Sequence, residues 1–458
     1  NSPLQNGNSH EDVLNLKEGL VLVLALDNLS INEEFDSDTE KAVRDFQVYY
    51  GLVENGIADE PTLQKLEETV NNPFQKGNRH DDVPKIKGYL MLLGYGDFSR
   101  TTLFGIETET AVKEFQADFG LITNGILDEK AYFELEYEAT RPLEEGMRRA
   151  DVVDLKVDLQ NVGFGNFSNT NYYGPQTRGV VEDFQSQYGL PVTGIVNSDT
   201  LYKLNEILSN PLQSGNYHDD AVELKEMLMA LGYGDFSKTR YYGPQTASAV
   251  REFQADYGLP ISGITDEITL ELLQEYVVKI FIDPGHGGSD PGAVAYGLEE
   301  KEVALDISLK LGNALMNNYK GVIVEYARTE DEFIELEDRS KMANNWGADY
   351  FVSVHSNAYL GQGSGFETYV HTNASSESHQ RQNTIHTHLV NEMNLIDRGQ
   401  KNANFNVLRN TEMPAILLEY LFIDNYTENQ MLRDPFYRQS LADVTAEAIA
   451  DSFNLDST

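Results

Sequence analysis

The sequence predicts a multidomain chain in which four small, mainly α-helical modules precede one α/β domain with a mostly parallel sheet flanked by helices. Three observations predict this. The first 276 residues repeat themselves, each repeat carries apolar residues at helical spacing, and residues 277–458 alternate between strand and helix patterns. The chain has 458 residues, 40% of them hydrophobic, which is enough for several separate cores.

The repeat is marked by the dipeptide Phe-Gln, which recurs at intervals of 69 residues. It begins at positions 46, 115, 184 and 253, and a threonine seven residues earlier keeps the same step. Such regularity indicates duplication. We therefore expect repeats at 1–70, 71–139, 140–208 and 209–276, followed by a separate domain at 277–458.

The pattern inside each repeat predicts three helices. In the fourth repeat, acidic residues precede an apolar-periodic stretch at 221–231, which is typical of a first helix. Thr246 is predicted to cap a second helix whose apolar face includes Phe253. A third helix is predicted around Leu270, so each repeat is expected to be a small three-helix domain.

These repeats resemble the peptidoglycan-binding type 1 domain. The resemblance rests on Tyr-Gly-Pro-Gln-Thr at 173–177 and 242–246, on Ala-Val-x-x-Phe-Gln, and on Gly-Leu followed by Gly-Ile. It implies that the repeats bind bacterial peptidoglycan. Tyr173 and Tyr242 could stack on sugar rings or could pack the turn. The first repeat departs from the pattern at Asp36, where the others have glycine, but we expect its fold to persist.

From residue 277 onward, apolar strand patterns alternate with amphipathic helix patterns. Alternation at this spacing favours a mostly parallel sheet with helices on both faces. The predicted strands are 278–283, 321–327, 350–355, 366–370, 405–408 and 415–421, and the predicted helices are 301–318, 336–346, 376–393 and 435–453.

Side chains suited to acid/base or metal chemistry stand where three of these strands end. His286 follows the first strand in a glycine-rich turn, His355 ends another, and Glu419 ends a third, while Glu300 opens a helix. The carboxyl ends of parallel strands meet at one edge of a sheet, so we expect one site there. Two histidines and a glutamate around an open position suit catalytic zinc, with Glu419 left over as a base.

This region resembles the type 3 N-acetylmuramoyl-L-alanine amidases, the zinc amidases of bacterial cell walls. The matching motifs are residues 283–288, 297–301, 348–357 and 418–419. The resemblance implies that His286, Glu300 and His355 bind Zn²⁺ and that Glu419 is catalytic. Glu300 rather than Glu299 matches, since the family's ligand directly precedes a lysine. The implied reaction cleaves the amide between N-acetylmuramic acid and L-alanine of the stem peptide.

Two other functions are compatible with the same residues. One is a wall-binding protein whose hydrolase domain is inactive, and the complete set of four site residues argues against it. The other is a zinc hydrolase that cuts a different bond, such as a peptide bond in the cross-link. Host autolysin, sporulation enzyme and phage endolysin all remain open.

The remaining histidines are interpreted as structural. His371, His379, His386 and His388 are expected on the surface, and His10, His80 and His218 recur at one repeat position that favours a turn role. Asn357 and Arg328 are expected to line or support the site.

The composition is strongly acidic, with a formal net charge of −40. Such a surface repels nucleic acid and anionic lipid, and the longest apolar runs are too short to insert into a membrane. High-salt adaptation and simple solubility both explain the acidity. The chain lacks cysteine and begins at Asn1 without a signal peptide. We expect an extracellular or cell-wall protein whose signal peptide was removed, or one exported without it; the oligomeric state is not predicted.

Overall fold

The computed structural model describes residues 3–458, so the predicted start of the first repeat at residue 1 lies outside the described part. The chain forms two compact units, one extending to Leu208 and the other spanning Ser209–Thr458. The fourth repeat therefore belongs to the same unit as the α/β domain. Within residues 3–458, no helix combines the length and the apolar character needed to cross a bilayer.

Each repeat forms three helices, which confirms the helical modules. In chain order, the helices are α1 (Glu11–Leu24), α2 (Ser37–Tyr49), α3 (Glu60–Val70), α4 (Val83–Leu92), α5 (Ile106–Asp118), α6 (Glu129–Thr140), α7 (Asp151–Asn161), α8 (Pro175–Gln187), α9 (Ser198–Leu208), α10 (Ala221–Ala230), α11 (Pro244–Asp256) and α12 (Glu267–Glu275).

The recurring Phe-Gln pair has a packing role and a hydrogen-bonding role. In the fourth repeat, Phe253 is fully buried in the core, and the Gln254 amide is buried beside it. Gln254 Oε1 accepts from Gly263 N at 2.9 Å, while Nε2 donates to Ile264 O at 2.9 Å and Thr269 Oγ1 at 3.1 Å. The amide thus ties the loop between the second and third helices to both of them. Gln47 and Gln185 make the equivalent bonds to the loop and to a threonine of the third helix. Gln116 makes only the bonds to the loop, at Gly125 N and Ile126 O.

The start of the second helix differs from the prediction. α11 begins at Pro244 with Gly243 as its N-cap, and Thr246 is buried instead of capping. In the first repeat, the Asp36 side chain caps α2 by accepting from Thr39 N at 2.9 Å. Aspartate is a favourable N-cap, so the departure from glycine preserves the fold.

The recurring histidines have the predicted turn role. The Nδ1 atoms of His10, His80 and His218 each accept a hydrogen bond from the backbone N–H two residues later, at 3.0, 3.2 and 3.3 Å. These bonds satisfy amides at the entrance to the first helix of the first, second and fourth repeats.

Tyr173 and Tyr242 pack the turns. Both are fully buried, and their hydroxyl groups donate to Gly194 O at 2.8 Å and Gly263 O at 2.9 Å. A ring without exposed surface cannot stack on a sugar, so the stacking alternative is wrong for these two residues.

The first two repeats share contacts. Asn124 Nδ2 donates to Val23 O at 2.6 Å, and Tyr50 donates to Asp128 Oδ2 at 2.7 Å. Ile126 of the second repeat packs into the core of the first. These repeats are therefore joined by both polar and apolar interactions.

The α/β domain has eight strands. In chain order, they are β1 (Val278–Pro284), β2 (Val294–Ala295), β3 (Leu298–Glu299), β4 (Val322–Tyr326), β5 (Tyr350–Asn357), β6 (Phe366–His371), β7 (Asp397–Ala403) and β8 (Ala415–Phe422). Six of them form one sheet with the order β4-β1-β5-β8-β6-β7, and β2 and β3 form a separate small ribbon. Every neighbouring pair in the large sheet is parallel except β6 and β8, which confirms the mostly parallel sheet.

Helices cover both faces of this sheet. The helices are α13 (Glu300–Asn318), α14 (Leu336–Trp346), α15 (Ser376–Glu392), α16 (Asn406–Arg409), α17 (Tyr426–Arg433) and α18 (Pro435–Phe453). One core packs the sheet against α13, α15 and α18, and a second core on the opposite face includes residues of α14 and α16. Alternate residues of β1 enter the two cores, as a doubly covered strand requires.

The predicted strand at 405–408 is wrong, because residues 406–409 form the short helix α16. The sixth strand is β7, whose sequence Asp-Arg-Gly-Gln-Lys-Asn-Ala is polar and whose residues are only partly covered. An edge strand needs no apolar run, so the hydrophobic pattern missed it.

The fourth repeat packs directly against the α/β domain. Val277 lies in the core of the repeat, where Ile323 from β4 also packs. Gly321 N donates to Ala230 O at 2.8 Å, and Lys279 Nζ donates to Glu223 Oε1 at 3.0 Å and Trp346 O at 2.6 Å. Apolar, backbone and charged contacts therefore fix this repeat to the domain.

Candidate active site

The first strand ends in a tight loop that presents His286. The loop is tied to the neighbouring strand by Gly285 N, which donates to Val354 O at 2.9 Å. His286 has a φ of 61°, a conformation that non-glycine residues adopt only when their surroundings enforce it. Gly285 is required by close approach, since a Cβ there would lie 2.3 Å from Cε1 of His355.

Two buried arginines hold this loop in place. Arg339 Nη1 donates to Asp283 Oδ1 at 2.7 Å, and its Nη2 donates to His286 O at 2.7 Å. Arg328 Nε donates to Pro284 O at 3.1 Å and its Nη2 to Gly285 O at 2.8 Å. Burial, and then the nearby charge of Arg339, lower the pKa of Arg328. Arg328 thus supports the site by binding the backbone carbonyl groups of the loop that carries His286.

Glu300 joins the two predicted histidines. Its Oε1 lies 3.1 Å from His286 Nε2 and 2.9 Å from His355 Nδ1. One potential ligand atom from each of the three residues lies within 4.8 Å of the others. Glu300 is buried, whereas the Glu299 side chain is 39% exposed and pairs with Lys301. The structure therefore brings Glu300, and not Glu299, to the histidines.

His286 and Glu300 each stabilise the charged form of the other. Burial alone would lower the pKa of His286, but Glu300 and Asp290 outweigh it and raise this pKa to about 9. Burial likewise opposes ionisation of Glu300, yet hydrogen bonds from both histidines hold its pKa well below the usual range. The cluster is therefore an anionic carboxylate held between two basic rings.

Asp290 orients His286 from the other side of its ring. Asp290 Oδ2 lies 2.8 Å from His286 Nδ1, which leaves Nε2 facing Glu300. The sequence reasoning assigned no role to Asp290, although it follows His286 by four residues in the same glycine-rich loop. A carboxylate behind a ligating imidazole is the usual outer-shell arrangement of metal sites.

Glu419 lies beside this cluster on β8, in register with His355 on the next strand. Its Oε2 is buried and has no hydrogen-bond partner among the described residues. Burial is the largest cause of the raised pKa of Glu419, about 7, and Glu300 and Glu367 add to it. The carboxyl group is therefore suited to exchange protons near neutral pH.

Glu367, which sequence reasoning missed, forms a charged network next to Glu419. It faces Glu419 across β6 and β8 and is 3% exposed. Asn357 Nδ2 donates to Glu367 Oε1 at 2.7 Å, while Arg398 Nε and Lys401 Nζ donate to Oε2 at 2.9 and 2.5 Å. Asn357 thus supports the buried carboxylate of Glu367 and also lines the cleft.

The four predicted site residues line one cleft of about 550 Å³ at the carboxyl edge of the sheet. Its walls include the predicted site residues and apolar side chains on either side. The lining contains His286, Glu300, His355, Glu419, Asp290, Asn357, Phe333, Leu336, Phe405 and Val407. A concave, partly apolar site with a few convergent charged groups is typical of an enzyme active site.

The surface interpretation is wrong for His386. It is 2% exposed, stacks on Phe366, and lies 3.1 Å from Thr368 Oγ1 and 2.8 Å from Asp397 Oδ1. Its neighbour His388 faces α18, where it approaches Glu447. The two rings point in different directions, as their spacing on a helix predicts.

Comparison with known families identifies two kinds of domain. Residues 280–451 match the family described as "N-acetylmuramoyl-L-alanine amidase". Residues 9–66, 79–132, 148–204 and 217–273 each match the family described as "Putative peptidoglycan binding domain".

Similar proteins carry the same amidase region. The chain is 46% identical over 182 residues to the sporulation-specific N-acetylmuramoyl-L-alanine amidase of Bacillus subtilis (strain 168), covering 40% of this chain and 71% of that protein. It is 45% identical over 179 residues to N-acetylmuramoyl-L-alanine amidase CwlM of Bacillus licheniformis, covering 39% and 70%. A crystal structure of an N-acetylmuramoyl-L-alanine amidase from Clostridium difficile 630 is 35% identical, with a TM-score of 0.38, and covers 39% of this chain and 98% of that one.

Proposed function

Because this chain belongs to the N-acetylmuramoyl-L-alanine amidase family, we propose that it hydrolyses the amide between N-acetylmuramic acid and L-alanine with Zn²⁺ held by His286, Glu300 and His355. In this proposal, Glu419 is the general base and acid, and the repeats hold the enzyme on the wall outside the cell. The observation that carries the proposal is the convergence of these four side chains in one cleft.

The donor set fits zinc. Imidazole nitrogen and carboxylate oxygen are common zinc ligands, and three protein ligands leave the fourth position open. Glu300 Oε1 lies 3.1 Å from His286 Nε2 and 2.9 Å from His355 Nδ1, and all three potential ligand atoms lie within 4.8 Å of one another, so these residues could hold one ion together. Zinc bound there would supply Lewis acidity, which polarises a carbonyl and acidifies water.

Glu419 moves the proton in the proposed reaction. It accepts a proton from the attacking water as the water oxygen bonds to the carbonyl carbon. The C–N bond then breaks, and Glu419 returns the proton to the leaving nitrogen. Burial raises the pKa of Glu419 to about 7 without metal, and a dication held by the histidines would lower this pKa and favour the ionised base that takes the first proton. The products are a lactyl carboxylate on the sugar and a free alanine amino group.

The repeats would act by avidity. Several weak sites on one chain convert later binding events on a polymer into intramolecular ones. The net charge of −40 excludes general attraction to an anionic wall, so recognition rests on stacking and hydrogen bonds.

The test combines elemental analysis with product analysis. We expect about one zinc per chain in the wild type and in Glu299→Gln, and a loss of zinc in Glu300→Gln. Glu419→Gln should keep zinc and lose activity. Wall digestion should release new alanine amino groups while the muramic acid stays intact.

Two results would contradict the proposal. Full wall lysis by Glu419→Gln would remove the proposed proton carrier. New amino groups on a residue other than alanine would show that the enzyme cuts a cross-link or another peptide bond.

A further inference from the structure

Each repeat contains a pair of bridged residues whose side chains differ from one repeat to the next. The loop before the first helix and the loop before the second helix pair through a single backbone bridge in every repeat. The bridged pairs are Ser9 and Glu34, Arg79 and Leu103, Arg148 and Tyr172, and Tyr217 and Tyr241. The backbone is the same in all four while the side chains differ, so the fold does not dictate them.

In the fourth repeat this position carries two exposed aromatic rings. Tyr217 is 72% exposed and Tyr241 is 38% exposed, and their ring centroids lie 4.9 Å apart at an interplanar angle of 39°. The third repeat offers one ring, Tyr172, with the Arg148 guanidinium 4.6 Å from its centre. The first two repeats have no aromatic side chain in the bridged pair.

The ring of Tyr241 packs closely against the backbone of Gly243, where a Cβ would come within 2.9 Å of the ring carbon Cε1. The same close approach joins Tyr172 to Gly174. A glycine at this position therefore gives the ring room to lie flat against the turn, with part of its surface open to solvent. A side chain that is already packed in the free protein loses less conformational entropy on binding.

We propose that Tyr217 and Tyr241 form a stacking subsite for the pyranose rings of a peptidoglycan glycan strand. This inference rests on the proposed wall binding by the repeats and assigns it to particular residues. The apolar faces of sugar rings pack on aromatic faces, and this contact does not depend on charge. A neutral contact suits a chain whose acidic surface gives no electrostatic attraction to the wall.

The fourth repeat has a fixed position relative to the amidase domain. It is held there by the Val277 core contact, by Gly321 N to Ala230 O, and by Lys279 to Glu223. A glycan strand bound to the two tyrosines therefore keeps the enzyme on the wall through a repeat that does not move independently of the amidase domain.

The test uses the full-length protein and stem-free glycan strands, which contain no amide for the enzyme to cleave. Binding would be measured by calorimetry for wild type, Tyr217→Ala, Tyr241→Ala and the double variant. Leu103→Ala, at the equivalent position of the second repeat, is the matched control. We expect each tyrosine variant to bind about three- to tenfold more weakly, with a larger loss in the double variant and under twofold in the control.

Two further readouts separate stacking from a structural role. Tyr217→Phe and Tyr241→Phe should retain binding, because the ring face and not the hydroxyl makes the contact. Hydrolysis of a small soluble muramoyl-peptide should be unchanged in all variants, whereas KM on intact walls should rise in the double variant.

Four other outcomes would contradict either the tyrosine subsite or the wall-binding role of the repeats. Undiminished glycan binding by the double variant would remove the subsite while leaving wall binding by the repeats intact. Binding to whole peptidoglycan but not to stem-free strands would assign recognition to the stem peptide. Self-association that the double variant abolishes would make the pair an interface between copies. No wild-type binding to either material would refute the proposed role of the repeats themselves.

Discussion

Gly285→Ala should disable the site through a single methyl group. The added Cβ would lie 2.3 Å from Cε1 and 2.6 Å from both ring nitrogens of His355, whereas ordinary contacts begin at 3.4 Å. The ring must therefore shift by about 1 Å, which disturbs the 2.9 Å contact between its Nδ1 and Glu300 Oε1. Gly285 does not have a positive φ, so alanine introduces no backbone strain there. A displacement of about 1 Å in a catalytic group can cost roughly a hundredfold in rate.

The assay is zinc affinity by chelator competition, together with amidase rate and thermal unfolding. We expect weaker zinc binding and a rate roughly a hundredfold lower, with secondary structure retained. Gly179→Ala is the control, because a Cβ there meets nothing within 4 Å. Wild-type zinc affinity and rate in Gly285→Ala would refute the argument that His355 must occupy its observed position.

The carboxylate behind His286, the ionisation of Glu419 and the hydrogen bonds of Gln254 can each be tested separately. Asp290→Asn removes the carboxylate behind His286 and should weaken zinc binding about ten- to hundredfold, measured by chelator competition; unchanged affinity would exclude the orienting role. Glu419 must be ionised to act as a base, and its pKa is about 7 without metal, so kcat should fall about tenfold per pH unit below a midpoint at or under pH 7. A pH-independent kcat between pH 5 and 8 would contradict this. Gln254→Ala removes the side chain that pairs with Gly263 N and Ile264 O, and leaves these backbone groups without that partner. The free energy of unfolding of the unit Ser209–Thr458 should fall by about 3 kcal/mol in denaturant unfolding. Gln245→Ala, on the exposed side of the same helix, is the control and should change this free energy little.

Elements with a strong apolar pattern could be predicted from the sequence. Helix 336–346 and helix 435–453 match α14 and α18 at both ends, and strand 350–355 falls short of β5 by two residues. The side chains at the strand ends could be placed in one cleft because parallel topology fixes where those ends meet.

What the sequence did not reveal depends on contacts between distant segments. Glu367 looks like an ordinary polar residue of a half-exposed strand, and only the pairing of β6 with β8 places it opposite Glu419. His386 looks like one polar residue in a polar helix, yet Phe366 and Thr368 of β6 cover it. The sequence also left open whether Tyr242 packs the turn or stacks on sugar, and only the structure shows that Tyr242 is buried while its neighbour Tyr241 is on the surface.

The contacts between neighbouring repeats imply that the repeat is a unit of sequence but not a unit of cooperative unfolding. Ile126 of the second repeat completes the core of the first, so loss of either repeat should propagate to the other. The fourth repeat shares its core with Ile323 of the amidase domain and should melt with it. Calorimetry of the whole chain should therefore show fewer transitions than domains, with one boundary between the third and fourth repeats, after Leu208, and none between the fourth repeat and the amidase domain.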